Sequence, residues 1–214
     1  MASAPQIDIS IVVPFFNEQE SLGELFAQIK AVLMELKAAF EVIFVDDGST
    51  DRSAAIVREL NTQDPRAKLV QFRKNYGKAA ALAAGFKMAA GDIVITMDAD
   101  LQDDPKEIPH LIDKLHDGYD LVSGWKKVRR DPFIKTQTSK IYNYFTSLFS
   151  GIRLHDFNCG LKAYRSQVVK TMAIYGELHR YLPVIAFRNG YKVTEIPVSH
   201  RARKYGRSKY GVAR

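Results

Sequence analysis

Four short runs, Ile9 to Val13, Glu41 to Val45, Lys68 to Phe72 and Ile93 to Met97, are rich in β-branched residues and separated by longer stretches of helical periodicity. That alternation is the pattern of strands feeding crossover helices in a parallel sheet. The runs are nearly all apolar rather than alternating, as strands covered on both faces must be. The spacing predicts an α/β fold with a mostly parallel, Rossmann-like central sheet flanked by helices, in one domain over residues 1–214. Ser21 and Glu24 have capping-box spacing, and Leu22, Leu25, Phe26, Ile29, Leu33 and Leu36 then form one apolar face. Ser49 or Thr50 is placed to cap a second helix carrying Ile56 and Leu60. The alanine-rich stretch Gly77 to Ala90 predicts a third helix that packs close to the sheet. Pro105 suits the first turn of a fourth, with Ile108, Leu111, Ile112 and Leu115 facing inward. Asp120 to Ser123 and Val193 to Val198 read as further strands. Between them, residues 125–135 predict a basic loop, and the aromatic-rich stretch 141–152 predicts a helix with a wide apolar arc, read as core packing in preference to membrane contact.

The ends of the strands carry the chemistry. In open α/β sheets, ligands bind beyond the carboxyl ends of the strands. Here those ends read Pro14-Phe15-Phe16-Asn17-Glu18, Asp46-Asp47-Gly48-Ser49 and Asp98-Ala99-Asp100-Leu101-Gln102. Carboxylates crowded on one rim repel one another, and a divalent cation relieves the repulsion. Asp98 and Asp100 are two apart, so on an extended chain both face the same ligand, and Gln102 joins them if the chain stays extended. Oxygen ligands of this kind suit Mg²⁺ or Mn²⁺, whose shell is completed by substrate phosphates. Asp103 and Asp104, just before Pro105, fit helix capping better. Neither a Gly-x-Gly-x-x-Gly opening the first helix nor a Gly-Lys-Ser/Thr element occurs, which argues against dinucleotide and P-loop sites. A carboxylate at Asp46 or Asp47 could instead accept a hydrogen bond from a base imide or ribose hydroxyl, with a metal holding the diphosphate of a nucleotide-sugar.

The formal charge of +7 calls for an anionic partner. Nucleic acid is disfavoured because the basic residues form no recognition motif. The single cysteine, Cys159, excludes an intrachain disulfide, fits a reducing compartment and reads as a small buried hydrophobe. Residues 1–8 lack a signal sequence, and no apolar run is long enough to span a bilayer, so a soluble or peripheral chain is expected.

Taken in order, Ile-Val-Val-Pro-Phe-Phe-Asn-Glu at 11–18, Val-Asp-Asp-Gly-Ser at 45–49, Asn75-Tyr76-Gly77-Lys78 with Gly85, Gly91-Asp92 and Asp98-Ala-Asp-Leu-Gln resemble a family 2 glycosyltransferase with the GT-A fold. Asp156-Phe-Asn-Cys-Gly-Leu-Lys-Ala-Tyr-Arg165 and the tail His200-Arg201-x-Arg203-x-x-Gly206-x-Ser208-Lys209-Tyr210 are similar to its polyprenyl-phosphate branch, which holds the dolichyl-phosphate mannose synthases and the bacterial undecaprenyl-phosphate glycosyltransferases. The resemblance implies an inverting transfer of a hexose from a nucleotide-sugar, UDP by default, to a polyprenyl phosphate at the cytoplasmic membrane face. It implies a nucleotide-sugar pocket lined by Pro14, Asn17, Glu18, Asp46, Asp47, Lys78 and Asp98, and a Mg or Mn site at Asp98, Asp100 and Gln102. Lys126, Lys135, Ser139 and Ser208 are the implied acceptor-phosphate contacts. At Ser123-Gly124-Trp125-Lys126 the chain departs from the Gly-Ser-Arg found in many relatives. Asp100, Asp156, Arg203 and Lys209 are the implied catalytic set, with Asp156 either a base or an orienting residue. Relatives commonly continue into transmembrane helices, whereas this sequence stops at Arg214, so a segment of a longer, membrane-anchored protein is expected, with the basic tail 201–214 drawn to anionic lipid. Transfer to a sugar hydroxyl, a metal-dependent nucleotidyltransferase and a catalytically silent nucleotide-binding module are the competing readings, and homo-oligomerisation is left open.

Overall fold

The computed structural model describes residues 6–127, 146–147 and 150–205. Seven strands form one sheet in the order β3-β2-β1-β4-β6-β5-β7. They are β1 Ile9–Phe15, β2 Phe40–Asp46, β3 Ala67–Gln71, β4 Ile93–Thr96, β5 Leu121–Trp125, β6 Lys162–Arg165 and β7 Val193–Pro197. The β1–β2, β2–β3, β1–β4 and β5–β7 pairs are parallel, and β6 runs antiparallel between β4 and β5. The mostly parallel α/β architecture is therefore as expected. Strand β6 was not announced by the sequence, because four residues bounded by Lys162 and Arg165 show neither a long apolar run nor a clear alternation, and neither were the short helices Ser166–Thr171 and Leu182–Arg188.

The helices lie on both faces: α1 Leu22–Glu35, α2 Ser53–Gln63, α3 Lys78–Met88, α4 Ile108–His116, α5 Ser166–Thr171 and α6 Leu182–Arg188. Strand side chains point alternately to the two faces, and this divides the core. Ile11, Val13, Val42 and Phe44 pack with Leu25, Ile29 and Leu33 of α1 and Leu111 and Leu115 of α4. Val12, Ile43, Val45 and Val94 pack with Leu82 and Phe86 of α3, Val168 of α5 and Leu182 of α6. A sheet covered on both faces requires both sets of alternating residues to be apolar, which is why β1 and β2 carry unbroken runs. Gly85 brings α3 against the sheet: a Cβ there would lie 2.3 Å from Val12 Cγ1.

Glu41 is the exception within the β2 run, and its charge is matched. Its Oε1 accepts from Ser10 Oγ at 2.6 Å and Ala90 N at 2.8 Å, and its Oε2 from Lys68 Nζ at 2.6 Å. Burial favours the neutral carboxyl, but the Lys68, Ser10 and Ala90 bonds outweigh it and lower the Glu41 pKa below its ordinary value.

Several helix starts differ from expectation. Ser21 precedes α1 but makes no cap, its Oγ instead donating to Glu18 O at 3.0 Å, while Glu24 faces Lys204 and Tyr205. Leu36 lies beyond the last turn of α1 and is 41% exposed. Helix α2 begins after Arg52, and Asp51 rather than Ser49 or Thr50 accepts from Ser53 N, at 2.9 Å. Pro105 opens a short 3₁₀ turn, Pro105–Glu107, leading into α4; Asp104 caps it by accepting from Lys106 N. Most of the basic loop 125–135 and of the aromatic stretch 141–152 lies outside the described residues.

Candidate active site

Strand order reverses at β1, whose neighbours are β2 on one side and β4 on the other. Such a switch point opens a crevice at the carboxyl ends of the two strands. The predicted acidic segments after β1 and β4 flank this crevice, with the one after β2 beside them.

After β1, Asn17 adopts a left-handed backbone (φ 54°). Its amide donates to Ser49 Oγ at 2.9 Å, and its Oδ1 accepts from Thr50 N at 2.8 Å. Glu18 N donates to Ser53 Oγ at 2.8 Å, so the loops after β1 and β2 are laced together. Asn17 and Glu18 thus stand at the crevice, whereas Pro14 is buried inside β1 opposite Val45 of β2. After β2 the two aspartates divide their work. Asp47 accepts from Tyr76 N at 2.7 Å and from Gly77 N at 3.0 Å, holding the start of α3. Asp46 Oδ1 accepts from Ser49 N, while its Oδ2 is buried with no hydrogen-bond partner among the described residues. A buried carboxylate oxygen left without a donor is costly, and it suits a ligand N–H or O–H. Gly48 between these loops is obligatory: φ is +77°, and a Cβ would lie 2.4 Å from the Lys74 carbonyl carbon.

The segment after β4 holds the densest charge. Lys78, at the first turn of α3, binds the Asp98 carboxylate. Burial pushes the Asp98 carboxyl up, but Lys78, then Lys126 and Lys162, overcome it and hold the pKa at about 2. Asp100 accepts from Arg203 Nη2 at 2.6 Å and, through Oδ1, from Gln102 N at 3.1 Å. Burial and the charges of Asp98 and Asp103 push its pKa up to about 6 in spite of Arg203. Arg203 also faces Glu18 at 3.6 Å, so one guanidinium joins the loops after β1 and β4.

Gln102 is carried away from the extended direction, because the chain turns at Ala99 and Asp100 and Leu101 takes a left-handed backbone (φ 63°). The Gln102 amide turns instead toward Arg201 O at 3.4 Å. Asp103, expected to cap a helix, is buried, bridges to His200 and pairs with Lys126 at 2.9 Å. Lys126 is therefore not an open acceptor-phosphate contact: its side chain is 13% exposed, and although burial opposes its charge, Asp103 foremost raises its pKa above the ordinary value. Lys135, Ser139, Ser208 and Lys209 lie outside the described residues.

The described part of the basic tail is tied to acidic and polar groups of the chain, although the Lys204 side chain stays half exposed. Arg201 pairs with Asp104 at 2.6 Å and donates to Gln28 at 2.8 Å. Lys204 binds Glu24 at 2.7 Å, and Arg201 N donates to Gln102 O at 2.9 Å. Residues 199–205 form a strap across the acidic rim. Asp156 is buried at 1% exposure and accepts from Asn158 N at 3.0 Å. Cys159 is buried, and burial foremost pushes its thiol up to about 12, consistent with an inert core residue.

The donor chemistry of Asp98 and Asp100 fits a hard divalent cation. Hard oxygens are present, and burial, then repulsion from Asp98 and Asp103, keeps Asp100 from ionising at its ordinary pKa. Among the described residues, no three His, Cys, Asp or Glu side chains converge as a metal cage. Two carboxylates with substrate phosphates completing the shell is the usual arrangement for Mg²⁺. Residues not assigned from the sequence also surround the site. Lys162, at the start of β6, is buried, and Glu195 of β7 binds the backbone at His155 and Asp156. Lys162 sits within a quoted motif; Glu195 carries no local signal, since only sheet register brings it there.

Comparison with known proteins agrees with this geometry. A family model described as Glycosyl transferase family 2 matches residues 10–172. The dodecaprenyl-phosphate galacturonate synthase of Rhizobium johnstonii is 38% identical over 97% of this chain. The undecaprenyl-phosphate 4-deoxy-4-formamido-L-arabinose transferase of Edwardsiella ictaluri is 40% identical over 95% of it. The chain spans 63% of the length of each of these relatives. Among solved structures, glucosyl-3-phosphoglycerate synthase from Mycobacterium tuberculosis, in complex with Mn²⁺, uridine diphosphate and phosphoglyceric acid, superposes with a TM-score of 0.71 at 20% identity, covering 92% of this chain and 72% of that one. The fold is thus GT-A, and the chain belongs to glycosyl transferase family 2.

Proposed function

We propose that the chain is the catalytic domain of an inverting glycosyltransferase that moves a hexose from a nucleotide-sugar, UDP-linked by default, to a polyprenyl phosphate at the cytoplasmic face of a membrane. The observation that carries this reading is the meeting of Glu18, Asp98 and Asp100 with Lys78 and Arg203 at the β1/β4 switch point. The relatives' names support a polyprenyl-phosphate acceptor, and the Mn²⁺ and uridine diphosphate in the similar structure support the donor class.

In this reading Asp46 offers its buried oxygen to the base or ribose, while Asn17 and Glu18 border the nucleotide. Asp98 and Asp100 would hold Mg²⁺ or Mn²⁺, which supplies positive charge to the departing diphosphate when bound. Arg203, a planar double donor suited to phosphate, leaves Asp100 and Glu18 to bind the diphosphate oxygens. Lys209 assists it, and Lys135, Ser139 and Ser208 hold the acceptor phosphate.

An acceptor oxygen forms the new bond to the anomeric carbon on the face opposite the leaving group. The bond to the donor phosphate breaks, and the nucleoside diphosphate departs with the electron pair. A phosphomonoester with a second pKa of about 6 is already largely dianionic at neutral pH, so no strong base is required. Asp156, buried and bonded to Asn158 N, is accordingly assigned to orient the acceptor side rather than to remove a proton. Catalysis then rests on positioning and fixed charge.

The test is a panel of nucleotide-sugars offered with short-chain polyprenyl phosphate and Mg²⁺ or Mn²⁺. One donor is expected to yield a glycosylated lipid phosphate and nucleoside diphosphate. Release of pyrophosphate from a nucleoside triphosphate, or transfer only to sugar hydroxyls, would replace this reading.

A further inference from the structure

Four neighbouring strands place one residue each at the same level of the sheet. Thr96 of β4 lies opposite Lys162 of β6, Lys162 opposite Ser123 of β5, and Ser123 beside Glu195 of β7. Directly paired positions share a face, so these four polar side chains form one row across the sheet. Ser123 is fully buried, Lys162 is 3% exposed, and the Glu195 side chain is 11% exposed. Polar groups so enclosed need partners, and one loop supplies most of them, Ser123 Oγ also reaching Gly124 O of its own strand at 3.3 Å. Thr96 Oγ1 donates to Gly160 O at 2.7 Å, Lys162 Nζ donates to Cys159 O, and Ser123 Oγ reaches Asp156 O at 3.5 Å. Glu195 accepts from His155 N at 2.9 Å and Asp156 N at 3.2 Å, and also binds the His155 ring.

The loop so held spans the site. At one end Gly160 packs against the Asp98 carboxylate; a Cβ there would lie 2.5 Å from Asp98 Cγ. At the other end is Asp156. The geometry points to Glu195 as a positioning residue: the charged anchor of a polar row that fixes Asp156 relative to Asp98, and with it the acceptor relative to the donor. A neutral amide at 195 would present an NH₂ group to backbone N–H donors, leaving part of the clamp unmade. The kinetic part of this inference rests on the glycosyltransferase reading; the structural part does not.

The sole tryptophan makes the clamp observable. Trp125 stacks on the His155 ring at 4.1 Å between centroids, so all tryptophan emission of the chain comes from beside the clamp. Glu195→Gln is expected to shift that emission and to speed amide hydrogen exchange at residues 155–160, with little change in β1 and β2. In turnover it is expected to lower kcat tenfold or more at unchanged donor KM and Mn²⁺ affinity. Thr96→Val, at the other end of the row, is expected to weaken Mn²⁺ binding severalfold instead, and it serves as the second test if Glu195→Gln fails to fold. Unchanged exchange at 155–160 in Glu195→Gln, or kinetic losses alike for both variants, would overturn the inference. A wild-type protein that transfers no sugar but loses protection in the variant would sink the activity and leave the anchor standing.

Discussion

Asp98 and Asp100 sit two residues apart with opposite perturbations, and the cause is the identity of their neighbours. Burial favours the protonated form of both; Lys78 pulls Asp98 down to about 2, whereas the charges of Asp98 and Asp103 leave Asp100 at about 6. Any change that moves Asp98 therefore disturbs the pair. Gly160→Ala places a Cβ 2.5 Å from Asp98 Cγ and should lower turnover by about a hundredfold, the scale expected of a misplacement near 1 Å. A thermal melt alongside the assay separates this from unfolding; wild-type kcat would show that Asp98 moves without consequence. Arg203→Ala removes the cation shared by Glu18 and Asp100 and is expected to cost ~10²-fold in kcat, with Arg203→Lys recovering only part because an ammonium lacks the planar fork. Equal activity in the alanine variant would exclude Arg203 from the chemistry. That Asp98 and Asp100 lie near one another was legible from their two-residue spacing, although the chain turns at Ala99 and Asp100 instead of staying extended. The left-handed turn at Leu101, which takes Gln102 off the extended direction, was not legible because leucine is an unusual residue there.

Strands and helices are held by a few polar contacts besides the core. Glu41 ties β1, β3 and the turn at Ala90 to β2. Its folded pKa is depressed below the ordinary 4.5, so the stability it contributes is present above about pH 4.5 and is lost as pH falls through the folded value. Glu41→Gln should therefore flatten the acid limb of stability against pH. At neutral pH it should cost roughly 1–3 kcal/mol, since Lys68 is half exposed and can turn to water. Chemical denaturation of both proteins across pH 3–7 would decide, and parallel curves would remove Glu41 from the account. On the same face of the sheet, Gly85→Ala forces α3 away from Val12 and is expected to destabilise by about 1–3 kcal/mol, read as a lower denaturation midpoint. At this scale periodicity found the parallel strands and the long helices, since burial on both faces leaves an apolar signature. Capping was less legible: Ser21, Ser49 and Thr50 have the right chemistry, but Glu18, Asn17 and Asp46 claim Ser21 Oγ, the Ser49 hydroxyl and backbone, and the Thr50 amide across loops. Strand β6 depends on pairing with β4 and β5, a long-range fact that four residues do not encode.

Across the whole molecule, the excess of +7 is unevenly used. Arg201, Arg203 and Lys204 are spent on acidic groups of the chain itself, so the described tail closes the rim instead of projecting from it. This could not be read from composition, because a basic run looks the same whether it faces lipid, solvent or a carboxylate. Among the described residues no helix is long and apolar enough to cross a membrane, and the relatives extend beyond the length matched here. The proposed chemistry requires Asp98 and Asp100 together to grip the donor's diphosphate through a divalent ion. Its most direct test is calorimetric titration of Mn²⁺ into wild type, Asp98→Asn and Asp100→Asn, each with uridine diphosphate present. Saturable one-to-one binding is expected in wild type, with a loss of at least tenfold in affinity in each variant. Wild-type affinity in both variants would contradict it.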